Sequence, residues 1–445
     1  MTTKYLIVGN GAAGATAAEE IRARDVHGDI TIVSAEPHPM YSRPGLAYII
    51  INEIPPHQVI ARKPEWYAKH KIKMVHGKAV KLDVSARRLH LEHQHVLPYD
   101  RLLIATGARA TPLPYPGGAL DGVVYLDTLD GTKDLIKKMK RAKRAVVVGG
   151  GITALEMTEG FVHNKVETHY LVRKDTLWSA VFNAAESKLL DHHMREHGVL
   201  IHYNTEVAEV LGDKKQRVTG VKFTSGETQA CEVVGAGIGV KSELDWLKDS
   251  SLKTERGILV DEHLETNVPG VFAAGDCAQA WDRWTKKHML DVLWPTAVAQ
   301  GRVAGANLTG AREAYAKGTP FNACLLFGLH ITAMGQLGGG REDDSQIVQH
   351  TISRGSSELW STRPHSYASA WTQTGDNSLR LVLDGNRITG ALVIGEQSLA
   401  DPLRELIERQ ADIAPVRPAL DANAPDLPEQ LRAFWQALPK QEAKP

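Results

Sequence analysis

Residues 5–14 read Tyr-Leu-Ile-Val-Gly-Asn-Gly-Ala-Ala-Gly, and this stretch decides the fold of the N-terminal part of the chain. An apolar strand enters a glycine turn, and an alanine-rich segment of helical pattern follows over residues 15–23. A second apolar run, residues 30–33, leads to Glu36. A strand, a glycine turn, a helix, a second strand and an acid form, in this order, the βαβ unit that binds dinucleotides.

The residue types of this unit suit a pyrophosphate and a ribose. Glycines let the backbone turn tightly and approach the pyrophosphate, while the helix N-terminus offers free N–H groups and a positive dipole end. An acid after the second strand accepts hydrogen bonds from ribose hydroxyls, which is the role we predict for Glu36. The predicted pyrophosphate-binding residues are Gly9, Gly11, Ala12, Ala13 and Gly14.

The same pattern recurs near the middle of the chain. The apolar run 145–148 is followed by a Gly-Gly-Gly-Ile-Thr-Ala turn at 149–154, a helical stretch and the strand 169–172. Ala154 stands where the third glycine would be, and the motif tolerates it because this position packs the helix on the strand. Two such units imply two dinucleotides, one a bound flavin and the other a nicotinamide that exchanges. The residues expected to bind the second are Gly149, Gly151, Ile152, Thr153 and Ala154.

The second unit ends in basic residues where an NAD-binding unit usually has an acid. The sequence there is Val172-Arg173-Lys174-Asp175. An arginine pairs with a 2′-phosphate, whereas an acid would repel it, so Arg173 and Lys174 favour NADPH. The alternative is that Arg173 is a solvated loop residue and NADH is the reductant.

Composition and charge narrow the class of protein. The 445 residues carry 52 Lys and Arg against 52 Asp and Glu, and this balance argues against a protein bound to nucleic acid or anionic membrane by bulk charge. Three cysteines without CxxC or CxxxxC spacing exclude a disulfide scaffold, a cysteine-rich iron–sulfur site and a local redox-active pair. No apolar run reaches the length of a membrane span and the N-terminus lacks signal-peptide features, so we expect a cytoplasmic protein.

We predict no metal site. His193 and His197 have the i, i+4 spacing of a ligand pair, but no third ligand is evident near them. A solvated helix is the simpler interpretation.

Two more segments carry markers of a flavin site. The apolar run 102–108 ends in Ala105-Thr106-Gly107, and the run 266–276 closes with Gly275-Asp276, whose carboxylate can hold a ribityl hydroxyl of FAD. Together with the two glycine turns and Glu36, these markers resemble the FAD-dependent pyridine nucleotide-disulfide oxidoreductase superfamily. The run 294–310, which begins Trp294-Pro295, is similar to that family's helix beside the flavin.

The resemblance implies a fold and a domain layout. The fold class is α/β, with two doubly wound Rossmann-like nucleotide-binding domains and a C-terminal α+β domain. The expected boundaries are 1–115 and 246–315 for the FAD domain, 116–245 for the NAD(P) domain and 316–413 for the C-terminal domain. The C-terminal domain contains a hairpin signal at Asp384-Gly385-Asn386. Residues 414–445 read as an extended proline-rich tail that ends in a short amphipathic helix, 429–438.

The loop at residues 40–48 separates subgroups of this family. Pro44 occupies the place that a redox cysteine takes in persulfide and coenzyme-A disulfide reductases, and proline supplies no thiolate. The Tyr-x-Arg-Pro-x-Leu pattern instead resembles the rubredoxin-, ferredoxin- and nitrite-reductase flavoproteins, in which electrons leave the flavin directly. Hydride would pass from nicotinamide C4 to flavin N5.

The candidate site residues each have a structural alternative. Arg43 and Pro44 are expected to face the flavin, or to form a simple turn. Glu156 matches a family glutamate near the nicotinamide, or is an exposed helix residue. Trp294 and Pro295 are expected to line the flavin, or only to pack.

The acceptor is expected to be a small redox protein or a partner subunit. Basic residues at 137–144 would dock an acidic protein or form a solvated helix end, and Trp281 and Trp284 would gate the flavin, anchor a partner or pack. The tail helix would bind a partner or fold back, and Cys277 is expected to be a small buried residue. The rival functions are an oxidase or diaphorase that reduces oxygen or quinones, and a structural or redox-sensing flavoprotein subunit. A homo-oligomer stays open.

Overall fold

The computed structural model describes residues 2–283, 285–337, 377–422, 424 and 426–439. The chain divides into two compact units. The first consists of residues 1–175 and 198–317, and the second of residues 176–197 and the described part of the chain after residue 317. The sequence-based domain boundaries stay a prediction, and the helix at 184–196, which they assign to the NAD(P) domain, belongs to the second unit.

The secondary structure of the described residues consists of short parallel strands, small antiparallel sheets and helices. The strands are β1 (Lys4–Val8), β2 (Asp29–Ser34), β3 (Ile72–His76), β4 (Ala79–Asp83), β5 (Arg88–Leu91), β6 (Val96–Pro98), β7 (Arg101–Ile104), β8 (Arg109–Ala110), β9 (Val123–Val124), β10 (Arg144–Val148), β11 (Glu167–Leu171), β12 (Leu200–His202), β13 (Val207–Gly212), β14 (Val218–Phe223), β15 (Thr228–Ala230), β16 (Val233–Ala236), β17 (Val240–Lys241), β18 (Ile258–Leu259), β19 (Val271–Ala273), β20 (Ala278–Asp282), β21 (Lys287–Leu290), β22 (Phe321–Leu326), β23 (Leu329–Gly335), β24 (Ser378–Asp384) and β25 (Arg387–Ile394). The helices are α1 (Ala12–Arg24), α2 (Leu46–Ile50), α3 (Pro64–Lys69), α4 (Leu129–Met139), α5 (Ile152–His163), α6 (Ala184–Glu196), α7 (Trp294–Leu308), α8 (Ala400–Glu408), α9 (Arg417–Asp421) and α10 (Leu427–Ala437).

Two five-stranded parallel sheets form the centre of the first unit. Their strand orders are β19-β7-β1-β2-β3 and β12-β11-β10-β16-β9. The apolar runs in β1, β7 and β10 are buried apart from their first residues, as expected for strands covered on both faces. These sheets confirm the predicted doubly wound α/β fold.

The chain crosses between the two sheets on a two-stranded ribbon. β8 pairs antiparallel with β17, so that Arg109 lies opposite Lys241 and Ala110 opposite Val240. The outward and return crossings therefore run side by side. Arg109 is the first residue of β8 and comes two residues after Gly107, in the segment that follows β7.

Small residues let α7 pack closely on α1. A Cβ added at Gly301 would lie 2.4 Å from the Ala13 carbonyl oxygen, and one at Gly305 would lie 2.7 Å from the Ala17 carbonyl oxygen. Glycine at these two positions, four residues apart, is needed for the helix backbones to approach. This packing brings the N-terminus of α7 next to the first glycine turn.

The second unit contains a four-stranded antiparallel sheet with the order β22-β23-β25-β24. The predicted hairpin is confirmed: Asp384 pairs with Arg387, and Gly385 has φ +56°. His193 on α6 is buried, which differs from the solvated helix predicted for it, and His197 follows the helix with its Nδ1 2.7 Å from the His193 carbonyl oxygen. Among the described residues, no group of three His, Cys, Asp or Glu side chains could hold a metal ion.

The predicted helix 429–438 at the end of the tail corresponds to α10, but residues 414–421 form a 3₁₀ turn and α9 rather than an extended chain, so that part of the prediction is wrong. Pro415, Pro418 and Pro428 lie at the start of the 3₁₀ turn, of α9 and of α10, respectively. Proline is tolerated there because the first N–H groups of a helix have no partner within the helix. Of the two roles considered for the tail helix, the structure shows folding back, since Leu431 is fully buried and Trp435 Nε1 donates to Glu405 at 2.6 Å. Within the described ranges, every helix is too short or too polar to cross a membrane.

Candidate functional site

A cavity of about 470 Å³ lies in the first unit at the carboxyl ends of β1, β2, β7 and β19. This edge of a parallel sheet is where doubly wound folds bind nucleotides. Of the predicted site residues, the lining includes Gly9, Gly11, Ala12, Ala13, Glu36, Arg43, Pro44, Ala105, Thr106, Gly107, Gly275, Asp276 and Trp294. Pro295 and Gly14 are outside this lining, Pro295 in the first turn of α7 and Gly14 buried in α1.

The glycines of the first turn are required for two different reasons. Gly9 has φ +119°, and a Cβ there would lie 2.0 Å from the Ala105 carbonyl oxygen. A Cβ at Gly14 would lie 2.1 Å from the Gly9 carbonyl oxygen, whereas one at Gly11 would meet no protein atom within 4 Å. Gly9 and Gly14 are therefore needed by the backbone itself, and Gly11 leaves room for a ligand.

The helices that follow the two glycine turns begin without side-chain caps. α1 follows Gly11 and α5 follows Gly151, and neither preceding residue has a side chain to accept from the first N–H groups. α4, by contrast, is capped by Thr128, whose side chain accepts from the Gly131 N–H at 3.0 Å. Uncapped N–H groups and the positive dipole end at the cavity fit the pyrophosphate of FAD.

Glu36 lies at the end of β2 and is held by three side chains. Its carboxylate accepts hydrogen bonds from Arg43 at 2.6 Å and from the Tyr41 hydroxyl at 2.6 Å, and Arg109 lies 3.2 Å away. Burial alone would raise the pKa of Glu36, but Arg43, Tyr41 and Arg109 lower it below its usual range. Glu36 therefore stays a charged acceptor at the cavity wall.

Arg43 is engaged with acids rather than simply pointing at the cavity. Besides Glu36, its guanidinium donates to the Asp127 carbonyl oxygen and lies 3.6 Å from the Asp127 carboxylate. Burial would lower the pKa of Arg43, but Tyr41, Glu36 and Asp127 raise it, so this side chain keeps its charge. The loop is thus more than a simple turn, because it ties the end of β2 to the residues before α4.

Arg109 and Asp127, two charged residues of the cavity lining, are not among the residues predicted from the sequence. Arg109 follows the Thr-Gly marker by two residues, and a basic residue at that distance from a strand end was a usable signal. Asp127 has no local signal, because only the folded chain brings it to Arg43 and Arg109.

The opposite wall of the cavity comes from the end of β19 and the start of α7. The Gly275 N–H donates to Gln300 Oε1 at 2.7 Å, which ties the Gly-Asp marker to α7. Trp294 is buried and lines the cavity, and its contact with a flavin stays a prediction. Cys277 is fully buried, as expected, and burial raises the pKa of its thiol.

The second glycine turn repeats the geometry of the first. Gly149 has φ +144°, and a Cβ there would lie 2.1 Å from the Gly237 carbonyl oxygen, whereas one at Gly151 would meet no atom within 4 Å. Ala154 is fully buried against Gly237, as predicted for the position that packs helix on strand. These contacts fit a second nucleotide on the N-terminal end of α5, where Ile152 and Thr153 form the first turn.

Glu156 is buried on α5, with 8% of its surface exposed, so the alternative of an exposed helix residue is wrong. Arg173 and Lys174 are both exposed, directly after β11 and the buried Val172. Their exposure leaves both side chains accessible to a nucleotide or to solvent.

Comparisons with known proteins agree with this geometry. Residues 3–301 match the family model described as pyridine nucleotide-disulphide oxidoreductase. A ferredoxin reductase component of chlorobenzene dioxygenase from a Cupriavidus species is 33% identical over 62% of this chain and 68% of its own length. The NADH-dependent phenylglyoxylate dehydrogenase subunit epsilon of Aromatoleum evansii is 28% identical over 95% of both chains.

Other relatives show the limits of the match. Nitrite reductase [NAD(P)H] of Bacillus subtilis is 25% identical over 92% of this chain, which spans about half (48%) of that protein. The crystal structure of a ferredoxin reductase from Rhodopseudomonas palustris superposes with a TM-score of 0.82 at 24% identity and covers 97% of this chain and 100% of its own. That likeness establishes the fold.

The chain belongs to the pyridine nucleotide-disulphide oxidoreductase family. It is an FAD-dependent NAD(P)H oxidoreductase. Bound FAD supplies the redox chemistry, accepting hydride from the nicotinamide and releasing electrons to an acceptor. The glycine turn, the start of α1 and Glu36 line the cavity, and these groups would bind and orient the cofactor there.

Proposed function

We propose that this protein oxidises NAD(P)H and passes the electrons from its flavin directly to a small redox protein or a partner subunit. Hydride donation delivers two electrons, whereas iron–sulfur and rubredoxin-type acceptors take one each. Each NAD(P)H therefore reduces two acceptor molecules and releases one proton. The flavin converts two-electron into one-electron transfer.

The observation that carries this proposal is the wall of the cavity around Pro44. Of the residues that line the cavity, none is a cysteine, and Pro44 stands in the loop where related disulfide enzymes have one. Cys277, the cysteine next to the lining, is fully buried with its Sγ 3.5 Å from the Ile104 carbonyl oxygen. With no thiol at the cavity to relay electrons, direct transfer is the simplest route.

Names of the relatives support both kinds of acceptor. Rhodocoxin reductase of Rhodococcus erythropolis and putidaredoxin reductase of Pseudomonas putida are 31% and 30% identical over about two thirds of this chain, 70% and 68% respectively. The phenylglyoxylate dehydrogenase subunit matches nearly the whole chain, at 95%, and this observation favours a partner subunit as the second candidate acceptor.

We assign the nucleotide sites as the sequence suggested. FAD would be held by residues of the first turn, Glu36, the 105–107 strand end and Asp276, with Arg43, Pro44, Trp294 and Pro295 near the flavin. The nicotinamide nucleotide would bind at the second turn, with Glu156 near the nicotinamide, and Arg173 and Lys174 at a 2′-phosphate. NADPH is therefore the proposed reductant, and the cytoplasm the proposed location.

An anaerobic titration tests the proposal. NADPH and then NADH are added to the purified flavoprotein while the oxidised flavin bands are followed, and we expect bleaching by one or both. Admitting air should recolour the flavin slowly, and an added acidic ferredoxin should recolour it rapidly. Rapid recolouring by oxygen alone would instead support an oxidase, and a flavin that neither nucleotide bleaches would support a structural or sensing subunit.

A further inference from the structure

The hairpin formed by β20 and β21 emerges directly from the cavity wall. Asp276 lines the cavity two residues before β20 begins, and Val292 lines it two residues after β21 ends. The strands are paired from Gln279–Leu290 to Asp282–Lys287. A hairpin with both ends at the cavity is a short path from the flavin site to the surface.

Trp281 on this hairpin is the one exposed aromatic side chain of Phe, Tyr or Trp type among the described residues. Its exposed fraction is 47%, while the other four residues of β20 are buried. The indole packs edge-on against His288, its cross-strand partner, at 5.5 Å between ring centroids. The side chain is therefore held in place on the surface rather than buried by the fold, as expected of a docking anchor.

The exposed charges of the hairpin are positive in its described residues. Lys286, Lys287 and His288 are exposed. The two acids of the segment, Asp282 and Asp291, are buried, and both accept from the buried Lys317, at 3.2 and 3.1 Å. An approaching partner thus meets cations around an indole, which favours an acidic surface.

The same lysine links the two sides of the hairpin. Lys317 links Asp282 on β20 to Asp291 after β21, and Asp291 also accepts from Thr296 Oγ1 in the first turn of α7 at 3.1 Å. A preorganised surface loses little conformational freedom on binding. The basic segment 137–144 is a weaker candidate, since Lys138 is already paired with Asp121 at 2.8 Å and Asp134 at 2.7 Å.

We propose that Trp281, His288 and the cations Lys286 and Lys287 dock an acidic small redox protein over the flavin cavity. The inference rests on the proposed function and names the surface through which its electrons leave. From Asp276 to Trp281 the chain spans five residues, at most about 17 Å in extended conformation. A partner seated on the indole takes one electron from the flavin at each visit, and two visits reoxidise it.

The test compares a protein acceptor with an uncharged small acceptor in the holoenzyme. The protein probes are an acidic [2Fe–2S] ferredoxin and an acidic rubredoxin, and the small acceptor is menadione. The variants are Trp281→Ala, Trp281→Phe and the double change Lys286→Glu with Lys287→Glu. The matched control is Lys214→Glu with Lys215→Glu, an adjacent pair of exposed lysines in the turn between β13 and β14.

We expect every variant to keep menadione reduction and flavin bleaching by NAD(P)H within about twofold of wild type. With the protein acceptor, Trp281→Ala should lower kcat/KM on the order of 10- to 100-fold, and Trp281→Phe should restore most of it. The hairpin lysine change should lower kcat/KM about tenfold or more at low salt and flatten its salt dependence. The control lysine pair should have little effect.

Unchanged protein-acceptor kinetics in Trp281→Ala and in the double lysine change of the hairpin would overturn the proposal, as would an equal loss in the control pair. A wild type that reduces menadione but neither acidic protein would also overturn it, while leaving the NAD(P)H-flavin chemistry intact. Failure of the proposed function is distinguished by a different result, in which NAD(P)H does not bleach the flavin.

Discussion

Replacing Glu36 by glutamine tests the structure of the cavity wall most directly. Glu36 accepts from Arg43 and Tyr41 and faces Arg109, and 19% of its side chain is exposed. A glutamine keeps the shape, but it removes the charge and replaces one acceptor oxygen with a donor amide. With its oxygen on the side of Arg43, the amide would present an NH2 group to Tyr41, and this group cannot accept the hydrogen bond that Tyr41 donates to Glu36.

The expected cost follows from these contacts. A hydrogen bond to a charged group contributes about 1.5–3 kcal/mol, and leaving one partner of a buried ion pair unpaired costs about 3–5 kcal/mol. Arg43 keeps the Asp127 carboxylate 3.6 Å away as a second counter-ion, so the lower end applies. We therefore expect Glu36→Gln to lower the free energy of unfolding of the flavin-free protein by about 2 kcal/mol.

The assay is denaturant unfolding of the flavin-free protein, followed by FAD titration of the refolded samples. The exposed Glu206→Gln is the matched control and should change neither result. Because glutamine also loses an acceptor for the ribose hydroxyls, FAD should bind roughly 5- to 30-fold more weakly. A double change with Arg43→Gln should cost less than the two single changes added together.

If Glu36→Gln changes the free energy of unfolding by less than about 0.5 kcal/mol and leaves FAD affinity unchanged, Glu36 does not have the role described here. Additive effects of Glu36→Gln and Arg43→Gln would refute the pairing specifically, even if both single variants were destabilised.

Further predictions concern the two nucleotide sites and their pH dependence. Gly11→Val should leave the flavin-free fold intact but abolish tight FAD binding, because its side chain would enter the cavity. Gly9→Ala should also destabilise the fold. Circular dichroism of the flavin-free protein and the flavin content of the purified protein distinguish the two effects. Arg173→Glu should raise KM for NADPH about 10-fold or more and leave KM for NADH nearly unchanged, and equal effects on both would contradict the 2′-phosphate assignment. The pKa of Glu36 is lower in the folded protein than in the unfolded chain. Its stabilising contribution is therefore present above about pH 4.3 and is lost as the pH falls through the folded pKa. In acid unfolding experiments, the free energy of unfolding of Glu36→Gln should depend less steeply on pH than that of the wild type.

Local patterns were enough to predict the parallel sheets and both glycine turns. The steric demands on Gly9 and Gly149 come from the carbonyl oxygens of Ala105 and Gly237, which follow the neighbouring strands, and the motif places glycine at both positions. The tail was misread because proline signals both an extended chain and the first turn of a helix. Only packing, such as the burial of Leu431, distinguishes these two outcomes.

The pairing at Glu36 could not be predicted from the sequence. Arg43 is only seven residues from Glu36 in the sequence. Arg109 contacts Glu36, and Asp127 contacts Arg43 and Arg109, only because the folded chain brings these distant residues together. Exposure was equally hidden: Trp281 lies in a strand whose other residues are buried, and nothing in its local pattern marks it as the exposed one. Tertiary contacts therefore decide which marked residues are accessible.

Four charged side chains on one wall of the cavity balance one another. Glu36 and Asp127 offset Arg43 and Arg109, so these four side chains contribute no net charge to the wall. The positive end of α1, which follows Gly11 without a side-chain cap, and the N-terminus of α7 on the opposite wall also lie at the cavity. Fixed dipoles attract an anion without presenting a mobile cation to the reacting groups. The backbone at these helix ends would therefore hold the pyrophosphate, while the paired side chains tie the end of β2 to the loop that carries Pro44.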